Sequence, residues 1–465
     1  MDNKTTNYFK SKAKTIEERF AEGKALRDKF PRKDQGEYKL DPKRADPVSV
    51  LEEQAKTRLT ELVPIRYARM LTSPFAFLRG AAAIMAADLA AGPKTTGIKV
   101  QLCGDMHLAN FGVFASAERN MIFGINDFDE TIPGPWEWDI KRLVTSMVSA
   151  GIFLGADKDL CKESILAAVD SYKKHLKEYA YMGHLELAYT TVTEKELQKK
   201  LPPAIQKGLK KVTDKARERT NFQVLDKLAN IVDNKYRLRD DAPFIVHETH
   251  TQMGRPVDEA LGRLLESYML SLADDRKALL KHYRIVDVAR KVVGVGSVGT
   301  RCWIMFMLGN NSEDPLFLQV KEAQPSVFEP FISKSTYKNH GQRVVAGQRL
   351  LQAAPDIFLG WGEQDGIHFY VRQLRDMKGG LEFDPNKIKI ENMPEYCKLC
   401  GWALALAHAK SGDAAMISGY LGKSDEFDQA MVEFAFAYAD QTEQDYQALN
   451  AAAASGRIKV ARSES

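Results

Sequence analysis

An α+β fold, with one β-rich segment between two largely helical ones, is predicted by the periodicity of the apolar residues. Segment 283–377 contains four runs rich in β-branched and aromatic residues, namely RIVDVARKVV, RCWIMFML, PLFLQVKEA and IHFYVRQL. The sequence on either side carries apolar residues mostly at helical spacing. We therefore expect a small antiparallel β lobe and a large helical lobe.

The composition indicates a globular protein. Its 465 residues include 66 basic and 62 acidic side chains, a balance that does not indicate a nucleic-acid-binding surface over the whole chain. The first twenty residues are charged throughout, unlike a secretory signal. The longest apolar stretch, Leu143 to Gly155, is shorter than the roughly 20 residues that span a bilayer. We expect a cytoplasmic protein with no membrane partner and no clear nucleic-acid partner.

Composition also divides the chain into segments. Charged residues dominate the beginning, helical patterns fill the middle, and the β-rich part comes late. The predicted segments are a charged N-terminal arm (1–60), the first part of the helical lobe (61–155), a helical connector (156–282), the β lobe (283–377), helices that complete the large lobe (378–450), and a tail (451–465).

Within 61–155, helices flank two short strands. Ser73 is placed to cap a helix that has Pro74 in its first turn and ends near residue 92. The strands IKVQLCG and NMIFGIND follow, and each ends in a cluster rich in Asp and Asn. A further helix is predicted from Trp138 to Phe153.

The polar clusters after the two strands contain the residue types of a metal and nucleotide site. GDMHLAN contains Asp105, His107 and Asn110, and NDFD contains Asp127 and Asp129. Magnesium prefers oxygen ligands, which carboxylates, amide oxygens and nucleotide phosphates supply. Asp105, Asn110 and Asp127 each also fit an Asx turn at a strand end, which is the structural alternative.

These motifs resemble the protein-kinase-like superfamily, especially aminoglycoside and choline phosphotransferases. The resemblance implies that Asp105 is the catalytic-loop aspartate, which accepts or orients the proton of the acceptor hydroxyl. It also implies that Asn110 and Asp127 hold Mg²⁺. Asp129 is either a further metal ligand or a solvated turn carboxylate, and His107 has either a chemical role or a structural one beneath the loop.

VGVGSVGT is a glycine-rich motif with two interpretations. Gly294, Gly296, Ser297 and Gly299 fit either a dinucleotide-binding loop, which a helix follows directly, or a kinase nucleotide-binding loop in a β hairpin. Strand-like runs follow the motif, which favours the hairpin. Lys321 then falls where kinases have their phosphate-pairing lysine; its structural alternative is a surface lysine on an edge strand.

The sequence departs from the kinase pattern in two ways. The helix-like run GQRVVAGQRLLQ, where the acidic partner of the lysine is expected, contains no carboxylate, which leaves Glu322, Glu329 or Gln348 as substitutes. In addition, the Asp105 loop precedes the glycine loop, which implies a circular permutation. Such reordering is tolerated because the termini of compact domains often lie close together.

Several other polar residues have open roles. Arg79, Arg372 and Arg375 interrupt apolar segments, so buried pairing is favoured and phosphate contact is the alternative. Asp139 is either a helix N-cap or, as the resemblance implies, a brace for the catalytic loop. The CxxC of Cys397 lies in an apolar helical segment without a second pair, so we expect reduced thiols and no zinc site.

Longer motifs resemble one bacterial family, domain of unknown function 2252. They include RYARMLTSPFAFLRGAA, CGDMHLANFG, NDFDETIPGPWEWDIKRL, VGVGSVGTRCW and GQRLLQAAPDIFLGW. The family has no settled activity, so it implies no substrate. From the kinase-like resemblance we expect an ATP- and Mg²⁺-dependent phosphotransferase acting on an unidentified small-molecule or protein hydroxyl. The alternatives are nucleotide binding without turnover, adenylyl transfer, and an NAD-binding oxidoreductase.

Overall fold

A computed structural model describes residues 13–219, 221–233, 235–251, 253–352, 354–374 and 377–462. About half of the protein is helical, and its strands form several antiparallel sheets, which confirms the predicted α+β class. Arg375, the first part of the predicted arm (1–12) and the end of the predicted tail (463–465) lie outside the described residues.

Five α-helices precede the first strand in the part of the chain that the structure describes. They are α1 (Ile16–Ala25), α2 (Pro47–Ala55), α3 (Val63–Met70), α4 (Pro74–Gly80) and α5 (Ala82–Ala91). As predicted, Ser73 caps α4, where its side chain accepts a hydrogen bond from the Ala76 amide, and Pro74 occupies the first turn. None of the described helices is long and apolar enough to cross a membrane alone, and only α4 and α5 taken together, bent by 78°, meet that criterion.

The described part of the predicted N-terminal arm packs against the body of the protein. Val48 and Leu51 in α2 are 1% and 0% exposed. A Cβ atom at Gly23 in α1 would lie 1.9 Å from the Met416 carbonyl oxygen, so only glycine permits this close approach. The charged composition of the segment did not predict these contacts, because a few apolar or small residues on one face are enough to pack a helix against the rest of the protein.

Four strands and one long helix hold the polar clusters found in the sequence. The strands are β1 (Lys99–Leu102), β2 (Phe111–Ala115), β3 (Met121–Ile125) and β4 (Ile132–Pro135), and α6 spans Trp136–Phe153. β1 pairs with β4 and β2 pairs with β3, so the loop after β1 and the loop after β3 lie at neighbouring strand ends. The two predicted strands and the predicted helix are confirmed.

The middle of the chain is mainly helical. It comprises α7 (Lys158–Ala180), α8 (His184–Tyr189), β5 (Val192–Thr193), α9 (Glu194–Lys200), α10 (Pro203–Glu218), α11 (Asn221–Leu228), β6 (Ala229–Val232), β7 (Lys235–Leu238), β8 (Ile245–Val246), α12 (Val257–Ser271) and α13 (Asp274–Leu280). Pro202 and Pro203 lie at the break between α9 and α10. The β6–β7 hairpin was not predicted.

A six-stranded antiparallel sheet contains the β-rich segment. The segment contains the strands β9 (Arg284–Lys291), β10 (Cys302–Leu308), β11 (Pro315–Glu322), β12 (Gly360–Gln364) and β13 (Ile367–Gln373). Helix α14 (His340–Leu351) lies between β11 and β12 in the chain. The strand order is β12-β13-β11-β10-β9-β8. Sequence analysis missed β12 because its sequence GWGEQ lacks β-branched residues. Gly362 instead permits α12 to pack closely, since a Cβ there would lie 2.9 Å from the Leu264 carbonyl oxygen.

Three C-terminal helices complete the largest apolar core. They are α15 (Met393–Ser411), α16 (Ala414–Leu421) and α17 (Glu426–Ala454). Most of their buried apolar residues form one cluster with those of α6 and α7. Ile458, which was assigned to the tail, is also buried, in a cluster with residues of α2 and α3. The five cysteines are buried and free, as expected.

Candidate functional site

A cavity of about 120 Å³ lies where the loops after β1 and β3 meet the glycine-rich loop and helices α3 to α5. Most of the predicted site residues line it: Asp105, His107, Asn110, Asp127, Asp129, Gly294, Gly296 and Ser297. Gly299 and Lys321 do not line it, although Lys321 reaches it through an ion pair with Asp129. Segments distant in sequence therefore meet at one cavity.

Asp139 stabilises the turn that carries Asp105. The Asp139 carboxylate accepts hydrogen bonds from the Cys103 amide at 2.7 Å and the Gly104 amide at 3.0 Å. Gly104 has φ +89°, and a Cβ atom there would lie 2.6 Å from the Glu130 carbonyl oxygen, so glycine is required. Asp139 is within α6 and is not its N-cap, which is Pro135. The brace interpretation therefore fits the structure, and the N-cap interpretation is wrong.

The Asp105 carboxylate faces a buried arginine. Arg142 in α6 donates to it from Nε at 2.7 Å and also from Nη2, and the Arg142 side chain is 1% exposed. Burial raises the pKa of Asp105, and Arg142 opposes that rise. Arg142 thus favours the ionised carboxylate, which can accept a proton or a hydrogen bond from a hydroxyl group. Sequence analysis did not single out Arg142.

His107 lies beside this carboxylate without a close contact. Its Nε2 atom is 3.7 Å from Asp105 Oδ2, and its ring meets Phe75 edge-on. Burial, together with the charges of Arg79 and Arg142, lowers the pKa of His107 well below its usual value. A neutral imidazole results, which fits a packing role and gives no support for a charged catalytic one.

Asn110 and Asp127 are connected through the backbone. The Asn126 amide donates to the Asn110 carbonyl oxygen at 2.8 Å, and the Asn110 side chain donates to the Asp105 carbonyl oxygen. Burial and then the nearby Asp129 raise the pKa of Asp127. A cation at this carboxylate would relieve that unfavourable burial, so its environment suits a metal ligand.

Asp129 is engaged by neighbouring side chains. It pairs with Lys321 through one oxygen and accepts a 2.7 Å hydrogen bond from the Tyr370 hydroxyl through the other. The Ser297 hydroxyl adds a 3.2 Å bond. Burial opposes ionisation, but Lys321 and the hydrogen bond from Tyr370 lower the pKa of Asp129 to about 2. The carboxylate is therefore the partner of the lysine.

The three residues suggested from the sequence as partners of Lys321 have other contacts. Glu322 pairs with Arg301 at 3.0 Å, and Glu329 accepts from the Ser326 amide at 3.2 Å. Gln348 donates to Gln352 at 2.9 Å. The partner is Asp129, in the loop after β3. Helix α14, where the acidic partner was expected, instead presents Arg343 to this loop, and Arg343 donates to the Asp129 carbonyl oxygen at 2.8 Å.

The glycine-rich loop joins β9 and β10, two neighbouring antiparallel strands. Gly294 and Gly299 have φ +67° and +91°, conformations that favour glycine. A strand follows the loop, as predicted, and not the helix that a dinucleotide-binding loop requires. The loop also contacts the N-terminal helical region: Gly299 accepts a 2.8 Å hydrogen bond from the Leu59 amide.

The residues that line the cavity do not form a metal site made only of acidic, His and Cys side chains. Among the described residues, no group of three or more such side chains could hold a metal ion. The predicted pair of Asn110 and Asp127 includes an amide, so it needs phosphate oxygens to complete a magnesium site. Of the arginines in apolar segments, Arg372 donates to Gln319 and to the Asn126 carbonyl oxygen, whereas Arg79 lines the cavity.

Comparison with protein families matches residues 58–452 to a model described as an uncharacterized protein conserved in bacteria, DUF2252. The chain belongs to the DUF2252 family. Neither curated proteins nor solved structures give a match. The matched range of this DUF2252 protein contains every site residue predicted from the sequence, and it begins at Arg58, which lines the cavity.

Proposed function

We propose that this DUF2252 protein is an ATP- and Mg²⁺-dependent phosphotransferase with a circularly permuted, two-lobed, kinase-like architecture. The observation that carries the proposal is that the glycine-rich loop of the β-rich segment and the Asp105, Asn110 and Asp127 loops line one cavity. In the proposed architecture, segment 283–377 is the small lobe, the helices of 61–155 and 378–450 form the large lobe, and 156–282 connects them.

The nucleotide side of the site would consist of the glycine-rich loop and Lys321. Backbone amides of such loops contact phosphates, and a buried lysine neutralises phosphate charge. Lys321 is only 4% exposed and is held by Asp129, so it is a fixed positive charge next to the cavity. Asn110 and Asp127 would hold Mg²⁺, which neutralises charge on the nucleotide phosphates when bound.

The acceptor side would consist of Asp105, held ionised by Arg142. In the proposed reaction, the acceptor oxygen forms a bond to the γ-phosphorus of ATP, and the bond from that phosphorus to the β,γ-bridging oxygen breaks. ADP leaves with the electron pair of that bond, and the hydroxyl proton passes to Asp105 and then to solvent. ATP dependence and five unpaired cysteines support a cytoplasmic location.

Calorimetry tests the proposal directly. We expect wild-type protein to bind ATP in the presence of Mg²⁺, with much weaker binding after chelation of the metal. Asp127→Asn should bind ATP at least about 10-fold more weakly because the amide removes a charged magnesium ligand. Asp258→Asn, an exposed carboxylate in the first turn of α12, is the matched control and should bind as wild type does.

Three outcomes would contradict the proposal. Equal ATP binding by wild type and Asp127→Asn, with and without Mg²⁺, would remove the metal site. Tight binding of NADH with no binding of ATP would favour the oxidoreductase alternative. Mg²⁺-dependent ATP binding without consumption of ATP in the presence of any acceptor would favour a nucleotide-binding protein without turnover.

A further inference from the structure

Three further arginines line the cavity. Arg58 precedes α3, Arg66 lies in α3, and Arg79 lies in α4. Each has a buried Nε atom without a hydrogen-bond partner among the described residues, and Arg66 has a second such atom, Nη1. Arg66 is 1% exposed. Buried guanidinium groups with unused donors are unusual, because buried polar groups nearly always have hydrogen-bond partners.

The partners that these arginines do have are neutral. Arg66 donates from Nη2 to Gln54 and to the Gly80 carbonyl oxygen, both at 2.9 Å, and Arg58 donates to the Val298 carbonyl oxygen. Burial lowers the pKa of Arg66 well below its usual value, and the nearby charge of Arg58 lowers it further. The hydrogen-bond partners of the cluster among the described residues therefore include no carboxylate.

The described carboxylates around the cavity accept no hydrogen bond from these three arginines, and four of them are held by other groups. Asp105 pairs with Arg142, Asp129 with Lys321, and Glu322 with Arg301. Glu130 accepts a 2.8 Å hydrogen bond from the Val327 amide. The donors of the three arginines thus remain available for an anion that enters the cavity from solution.

We propose that Arg58, Arg66 and Arg79 bind a phosphate group of the acceptor, so that the molecule that is phosphorylated is itself a phosphate monoester with a free hydroxyl group. This assignment rests on the proposed function. Guanidinium groups bind phosphate oxygens through paired N–H donors, and several arginines match the charge of a phosphate dianion.

The position of Arg79 favours the acceptor over the nucleotide as the source of this phosphate. The Arg79 guanidinium lies over the Phe75 ring, which meets the ring of His107 edge-on, and His107 Nε2 is 3.7 Å from Asp105 Oδ2. Asp105 is the proposed proton acceptor for the hydroxyl group, whereas Lys321 and the glycine-rich loop serve the nucleotide. A phosphate held at Arg79 would therefore orient the acceptor hydroxyl toward Asp105.

Titration of inorganic phosphate at constant ionic strength tests the subsite. The titration is run with saturating Mg·ADP and again with a saturating non-hydrolysable ATP analogue and Mg²⁺. We expect saturable phosphate binding in both cases, at least about 10-fold weaker in Arg79→Gln and in Arg66→Met because each loses a charged donor. Arg263→Gln, which removes an exposed arginine paired with Glu259, is the control and should bind as wild type does.

The outcomes separate the sources of the phosphate. Binding with Mg·ADP but not with the ATP analogue would assign the arginines to the third phosphate of the nucleotide and overturn the proposal. If both nucleotides bind and phosphate does not, this proposal alone fails. If neither nucleotide binds, the proposed function fails and the acceptor assignment fails with it. Arg79→Gln decides the matter if Arg66→Met does not fold.

Discussion

Two ion pairs at the site join an aspartate to a buried cation, and they differ in how they are built. Asp105 pairs with Arg142, 37 residues later, and Asp129 pairs with Lys321, 192 residues later. The two carboxylates are similarly exposed, at 22% and 26%. The first pair lies within the strand and helix region around α6, and the second joins that region to the six-stranded sheet.

The two aspartates nevertheless have opposite pKa shifts. Burial raises the pKa of Asp105 despite Arg142, whereas at Asp129 the effect of burial is outweighed by Lys321 and Tyr370, which lower the pKa. The charge of Lys321 has the largest lowering effect at Asp129, and hydrogen bonds from Lys321 and Tyr370 to the ionised form add to it. Asp129 is therefore suited to be a permanent counter-charge, and Asp105 is suited to exchange a proton.

The largest effect is expected from Asp105→Asn. If Asp105 accepts the hydroxyl proton, the variant should bind Mg·ATP nearly as wild type does but turn over about 10²-fold to 10⁴-fold more slowly. Calorimetry gives the binding and a coupled ADP-release assay gives the turnover. A variant that loses binding and turnover together would show that Asp105 has a structural role and that the two aspartates do not differ as described.

Lys321→Met tests the long-range pair through stability. Removal of the lysine leaves the carboxylate of Asp129 partly buried without its counter-charge, which should lower the free energy of unfolding by about 3 kcal/mol. Urea denaturation measures the loss. Lys210→Met, which breaks an exposed pair with Asp214, should change stability by less than about 1 kcal/mol. Equal losses of unfolding free energy in the two variants would show that the Asp129–Lys321 pair stabilises the protein no more than an exposed pair does.

Lys141 is a third buried cation, after Arg142 and Lys321, and it precedes Arg142 directly in the sequence. It is 3% exposed and lies 4.7 Å from the ring centre of Phe434. Burial lowers its pKa from 10.5 to about 8, with Glu137 opposing. Between these two pH values the unfolded chain binds more protons than the folded protein, so stability should rise with pH, by at most about 1.4 kcal/mol per pH unit.

Denaturation of wild type and Lys141→Met from pH 7 to 10.5 measures this rise. The variant should be more stable at pH 7 and should lack the increase above pH 8, because it has no lysine to lose a proton on folding. Parallel stability curves for the two proteins would contradict the pKa shift. Lys210→Met, at an exposed position, should follow the wild-type curve.

The smallest effect is expected from Ser297→Ala. It removes the 3.2 Å hydrogen bond to Asp129 and leaves the Lys321 and Tyr370 contacts in place. We expect a change of about 1 kcal/mol in Mg·ATP affinity, as is typical for one hydrogen bond. Calorimetry checks this, with Ser455→Ala at the end of α17 as the control. A loss above about 100-fold would mean that Ser297 contacts the nucleotide itself.

Local features of the fold and site were predictable from the sequence. The capped helix after Ser73, the strands before Asp105 and Asp127, and the hairpin around the glycine-rich loop all depend on residues close together in the chain. Spacing within one motif also identified Asn110 as a neighbour of Asp105, whose carbonyl oxygen accepts its hydrogen bond.

The features that were missed depend on long-range packing. The Asp129 partner of Lys321 is separated from it by 192 residues, and nothing within the α14 sequence indicates it. Strand β12 is stabilised by its neighbour β13 and by α12, and not by its own β propensity. Arg58 and Arg66 looked like ordinary charged residues, because only the folded protein buries their guanidinium groups.

The brace beneath the Asp105 loop has a consequence for synthesis of the chain. His408 in α15 contacts the Asp139 carboxylate at 3.3 Å and is made 269 residues after it. At the roughly 5–20 residues per second of a translating ribosome, this interval lasts on the order of 10–60 s. During that time the nascent chain contains every proposed catalytic residue of the Asp105 loop but lacks the helix that supports its brace. A messenger truncated before α15 would therefore yield a product with the complete motif and with an Asp139 brace that lacks its contact to His408.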